Sequence, residues 1–191
     1  KVFEKAGVNI STVYGRLSKD LVGKIPGTEK TNKFWASGIS LVVHPKSPHI
    51  PAIHMNTRYI ITSKSWFGGG ADLTPTNKVS KESKEIADFF HSNYRKICEE
   101  YKVGSYAEFK KWCDNYFFLP HRQESRGLGG IFYDYLDSGD WESDFKFTRN
   151  VGKTFLDSYR KILKNTINKQ WSKKDEELQL IRRSRYTEFN L

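Results

Sequence analysis

The sequence predicts an α+β fold in which a mostly antiparallel sheet is covered by helices. Three observations carry this. Residues 35–74 are rich in β-branched and aromatic side chains and are punctuated by Pro45, Pro48, Pro51 and the run Gly68-Gly69-Gly70. The connections inside that stretch are too short for a crossover helix, so neighbouring strands must run antiparallel. From Ser80 onward the apolar period changes from two to the helical spacing.

The elements follow in order. A first strand covers Trp35 to His44, a second His54 to Ile61, and a third starts at Ser65 and ends in the glycines. Ile86, Phe90, Ile97 and Tyr101, with Phe89, Tyr94 and Cys98 beside them, mark an amphipathic helix reaching to Gly104. A second helix is expected over Tyr106 to Tyr116, and Gly129 to Tyr135 returns to strand composition. Phe147, Val151, Phe155, Tyr159 and Ile162 define a long third helix; Glu176 to Arg183 read as a fourth, and Tyr186 to Leu191 as a final strand.

At 191 residues the chain is expected to form one domain over 1–191 with a core large enough to fold alone. Aromatic residues at 15% and charged residues at 28% describe a globular chain rather than a disordered one. A formal charge of +10 favours anionic partners without choosing among nucleic acid, phosphate and polycarboxylate. No apolar run approaches the roughly 20 residues needed to span a bilayer, and KVFEKAGVNIS lacks a signal-peptide core. The expected compartment is cytoplasmic. Cys98 and Cys113 lack CxxC spacing and read as reduced, inert thiols. Met55 is the only methionine, so Lys1 is not read as a natural start, and N-terminal and C-terminal segments are expected to be missing.

The candidate chemistry lies in three places. HMNTRY puts His54, Asn56 and Arg58 at alternate strand positions, a polar stripe suited to an anion with a proton to be moved nearby; the alternative is a solvated outer face. WFGGGADLTP places Asp72 after three glycines that suit a loop cradling a ligand, yet Leu73 and Pro75 break a dinucleotide fingerprint. Asp72 is either a turn acid or a poised carboxylate. In HRQESRGLGGIFYD, Arg126 either forks onto a carboxylate ligand or pairs on the surface with Glu124.

SGISLVVHPKSPHIPAIHMNTRY, WFGGGADLTP, FKKWCDNYFFLPHR and RGLGGIFYDYL, in this order, resemble oxygen-dependent coproporphyrinogen III oxidase, and EKAGVNIS and RRSRYTEFNL extend the likeness over essentially the whole chain. The resemblance implies oxidative decarboxylation of two propionates of coproporphyrinogen III to vinyls, giving protoporphyrinogen IX in haem biosynthesis. It implies a large flat antiparallel sheet flanked on its faces by helices, a homodimer, dioxygen as co-substrate and no organic cofactor. It implies that Ser40 contacts substrate, that Asn56, Thr57 and Arg58 form a substrate-binding triplet, that His54 donates a proton and that Asp72 engages pyrrole nitrogens. Arg126 is expected to hold a propionate. His44, His54, His91 and His121 match four histidines described as divalent-metal ligands in some members, although their scattered spacing predicts that no metal is essential. Tyr135 stands where the family often has a second acid, and the family's chain continues beyond EFNL. Two other classes compete with this reading: a basic, aromatic-rich nucleic-acid-binding module, and a catalytically silent relative. Scattered Lys and Arg without a nucleic-acid motif oppose the first, and the intact His54 stripe and Asp72 segment oppose the second.

Overall fold

The computed structural model describes residues 2–189. Its centre is a five-stranded antiparallel sheet in the order β1-β2-β3-β4-β7, formed by β1 (Phe3–Arg16), β2 (Lys33–Pro45), β3 (Ala52–Ile61), β4 (Ser65–Thr74) and β7 (Gly130–Leu136). Between β4 and β7 the chain makes α1 (Lys81–Tyr101), α2 (Tyr106–Tyr116) and a small hairpin of β5 (Phe118–Leu119) and β6 (Glu124–Ser125) around a 3₁₀ turn at Pro120–Arg122. Two helices follow, α3 (Trp141–Thr166) and α4 (Lys173–Phe189).

Strand alternation gives the sheet two unlike faces. On one, Val43, Ile53, Met55, Ala71, Leu73, Ile131 and Tyr133 meet Phe90, Tyr94 and Ile97 of α1 and Phe147, Val151 and Phe155 of α3 in a continuous buried core. Each such aromatic or aliphatic side chain contributes about 1.5–3 kcal/mol on burial. Ser80 caps α1 by accepting from the Ser83 N–H, and Asp140 caps α3 by accepting from the Ser143 N–H, as expected for residues whose short oxygens satisfy orphan helix donors. The helix α2 runs along the β7 edge, with Phe109 against Tyr133 and Tyr116 stacked on Phe132.

On the opposite face, α4 covers only one end of the sheet. Gln179 Nε2 donates to the Pro45 carbonyl, and Tyr186 meets the His44 ring edge-on at 4.9 Å. The remainder of this face, where β1, β2 and β3 run side by side, is open.

Two expectations are corrected, and one strand is added. The glycine run is not a loop: β4 continues through Gly68–Gly70 to Thr74, because close neighbours leave no room for side chains there. The expected final strand from Tyr186 is the end of α4 through Phe189, with residues 190 and 191 outside the described part. In addition, β1 escaped the sequence reading, although Ala6, Val8, Ile10, Thr12 and Tyr14 alternate along it.

Candidate active site

The antiparallel register carries the polar stripe into a site. Ser40 lies opposite Asn56, and Asn56 opposite Gly70. One step along, Arg58 is flanked by Gly38 on β2 and Gly68 on β4. One step the other way, His54 stands opposite Asp72. All point to the face away from the core. Asn9, Ser11, Gly38, Ser40, Asn56 and Arg58 line a concavity of about 300 Å³ there.

At one end of the stripe is a buried charge pair. Arg126 Nη2 donates to Asp72 Oδ2 at 2.6 Å, and the two side chains are only 2% and 4% exposed. The guanidinium lies 3.8 Å from the Phe117 ring centroid and 4.8 Å from those of Tyr186 and Phe189, so aromatic faces replace its water. Asp72 Oδ1 lies 3.3 Å from His54 Nδ1. Burial by itself would raise the Asp72 carboxyl, but the Arg126 charge and the His54 contact outweigh it and hold Asp72 below the usual carboxylate range. The carboxylate therefore stays ionised, accepts from Nδ1–H and fixes the imidazole, leaving Nε2 as the nitrogen available to a ligand.

Arg126 is thus neither on the surface nor paired with Glu124, whose carboxylate instead faces Lys78, Arg182 and Arg185. Nη2 of its guanidinium is taken by Asp72, while its buried Nε has no hydrogen-bond partner. Thr57 borders the same concavity as Asn56 and Arg58 yet stands apart from them. Alternation sets its side chain on the other face, level with Ile39 and Gly69, where it borders a more apolar concavity of about 420 Å³ formed by Tyr59, Phe67, Trp141 and Phe145.

The four histidines matched to metal ligands do not converge. His91 Nε2–H donates to the Leu128 carbonyl and its Nδ1 accepts from the Tyr106 hydroxyl, so both nitrogens are used, and burial lowers its pKa. His121 is on the 3₁₀ turn beside Glu188, and His44 lies under Tyr186. Among the described residues, no three His, Cys, Asp or Glu side chains are grouped to hold a metal ion. This donor set does not fit a shared ion. Both thiols are buried and free, and burial pushes Cys98 up to about 12 and raises Cys113, as expected for inert cysteines.

Two site features were missed. Asn9 joins the concavity from the unread strand β1. Asp134 Oδ2 accepts from Arg58 Nη2 at 2.7 Å, while Arg58 Nη1 donates to Asn56 Oδ1 at 2.9 Å. The available signal was its position two residues after Phe132 on a strand.

Comparison with known proteins supplies the family. The family profile described as coproporphyrinogen III oxidase matches residues 1–191. Relatives named oxygen-dependent coproporphyrinogen-III oxidase are 56% identical over 191 residues in Rickettsia bellii (strain RML369-C) and 55% over 190 residues in Rickettsia rickettsii (strain Sheila Smith). A third, from Rickettsia akari (strain Hartford), is 54% identical over 191 residues. Each alignment takes in 100% of this chain and 67% of the relative. With the profile matched from end to end, this chain belongs to the coproporphyrinogen III oxidase family.

Proposed function

We propose that the chain carries out the oxygen-dependent oxidative decarboxylation of two propionates of coproporphyrinogen III to vinyl groups, with the substrate lying against the open sheet face. The observation that carries this is the placement of Arg58 between Gly38 and Gly68. The missing side chains let a guanidinium lie along the sheet beneath a flat ligand, within one strand step of Asn56 and Ser40. Arginine is suited to a propionate because its fork binds a carboxylate bidentately. A net charge of +10 attracts a ligand bearing several carboxylates.

Each propionate loses carbon dioxide and a hydrogen from the carbon attached to the ring. The two electrons and that hydrogen pass to dioxygen, which with one further proton becomes hydrogen peroxide, and a vinyl group remains. The reduced tetrapyrrole is itself electron-rich, so the chain's task is positioning and proton management. His54 moves the proton at Nε2, at the edge of the pyrrole system. Asp72 is then a positioning residue: both its oxygens are engaged, one by His54 and one by Arg126, and its negative charge balances charge that develops on the imidazole. The proposal extends to a homodimer and to the cytoplasm, where the two free thiols would remain reduced.

Incubation of the protein with coproporphyrinogen III, with and without oxygen, tests this, the products being separated as porphyrins. Vinyl product is expected only aerobically. Equal turnover under strict anaerobiosis without an added acceptor would overturn it.

A further inference from the structure

We propose that Asp134 is the positioning residue for Arg58, fixing the guanidinium before substrate arrives; this rests on the reading above that Arg58 receives a propionate. Three features converge on Asp134. Its two oxygens take three donors: Oδ2 accepts from Arg58 Nη2 at 2.7 Å, and Oδ1 accepts from Trp66 Nε1 at 3.2 Å and from the Tyr135 backbone N–H at 3.1 Å. The backbone is bent to aim it. The β4–β7 register shifts between Phe67 and Gly69, and Tyr135 beside it holds φ 56°, a left-handed conformation unusual for an aromatic residue. Bulges of this kind re-aim side chains next to active sites. Finally, the space is reserved. A Cβ on Gly68 would lie 2.5 Å from Asp134 Oδ1 and 2.9 Å from Arg58 Nε, so a glycine is required where the two side chains cross the sheet.

Only a carboxylate satisfies this arrangement, because all three partners are donors. An amide at this position would turn its NH₂ either against Arg58 or against the Trp66 and Tyr135 N–H groups. With Asp134 and Asn56 holding Nη2 and Nη1, the rotamers of Arg58 are restricted in the free protein, and the ordering that binding would otherwise require is done in advance. Trp66, 4% exposed, makes the anchor rigid.

The test is a double-mutant cycle read by fluorescence quenching of coproporphyrin III, the oxidised substrate, together with steady-state kinetics. Asp134→Ala is expected to raise Kd and KM roughly 5- to 10-fold, the scale of immobilising one long side chain, with kcat changed far less. Asp134→Asn should behave nearly as badly. Trp66→Phe, which removes the indole N–H while keeping an aromatic ring, should shift Kd in the same direction by a smaller factor and guards against misfolding of the alanine variant. In an Arg58→Ala background, Asp134→Ala should add nothing. An equal factor in both backgrounds would make Asp134 merely structural and overturn the proposal, as would unchanged Kd in Asp134→Ala and Asp134→Asn. Arg58→Ala binding coproporphyrin III as tightly as the parent would instead overturn the propionate reading, and the role of Asp134 with it.

Discussion

Replacing Asp72 by Asn separates two consequences of one carboxylate. The change keeps the shape of the side chain and removes its charge from beneath a guanidinium that is 2% exposed and enclosed by three aromatic rings. Removing one partner of a buried pair leaves the other charge uncompensated, which destabilises by about 3–5 kcal/mol. For a chain of this size that lowers Tm by roughly 6–20 °C. Turnover should fall by about 10²–10⁴-fold, because His54 loses the acceptor that orients Nδ1 and balances its charge. A second variant divides the effects. Asp72→Asn with Arg126→Met removes both charges, so most of the stability should return while turnover stays low. Urea unfolding monitored by tryptophan fluorescence and aerobic turnover of coproporphyrinogen III measure the two quantities. A stability loss under 1 kcal/mol in the single variant would show that the pair is not desolvated. Restored turnover in the double variant would show that the carboxylate serves packing and not His54.

Four further outcomes are expected. Arg58→Ala should weaken coproporphyrin III binding by about 1.5–3 kcal/mol, the range for a charged hydrogen bond, as read by fluorescence quenching. Gly68→Ala should raise KM with little change in the core, because the added methyl meets Asp134 and Arg58 rather than an apolar neighbour; an unchanged KM would mean that the crossing has slack. Stability should fall in two stages as pH drops. His91 has its pKa lowered by burial, so the unfolded chain binds its proton first and stability declines below about 6.5. Asp72 is held low in the fold, so its contribution is present above about 3.9 and is lost as pH falls further towards its folded value; unfolding free energies at a series of pH values would reveal a flat acid limb if this is wrong. Exhaustive chelation should leave turnover intact, since His91 has no free nitrogen to offer; stoichiometric metal together with chelator sensitivity would contradict this.

The helical elements and the polar stripe were legible because each is a local pattern. Period 3.6 located α1 and α3 through Phe90, Ile97, Phe147 and Val151, and period 2 placed His54, Asn56 and Arg58 on one face. The same period separates Thr57 from that stripe, yet a triplet read as a motif conceals it. Partnerships across the chain were not legible. Asp72 and Arg126 are 54 positions apart, and only the β4–β7 ladder and the turn before β7 bring them together. From sequence alone Arg126 has two readings, a fork onto a carboxylate ligand and a surface pair with Glu124, and neither reaches Asp72. The glycine run illustrates the opposite error. Gly68 was read as backbone freedom, whereas what matters is the absent side chain, visible only once Arg58 and Asp134 are seen to cross there. Tyr186 pointed to a strand by β-propensity, but α4 continues because Tyr186 and Phe189 close over Arg126.

The attachment of α4 has a consequence for how the dyad responds to its solution. Leu180 and Ile181 of this helix face solvent, and its side chains are tied down largely by ions: Arg182 and Arg185 on Glu124, Arg183 on Glu4, and Glu188 on Arg122. Ion pairs near a surface weaken as salt screens them, while the apolar contacts of α1 and α3 do not. Raising ionic strength should therefore loosen α4 selectively, with faster amide exchange expected in residues 173–189 than in α3. Each opening lifts Tyr186 and Phe189 from the Arg126 guanidinium and admits water to the Asp72 charge. On the proposed role of His54, turnover is therefore expected to depend on salt through α4, a helix that touches Arg126 and not the open sheet face.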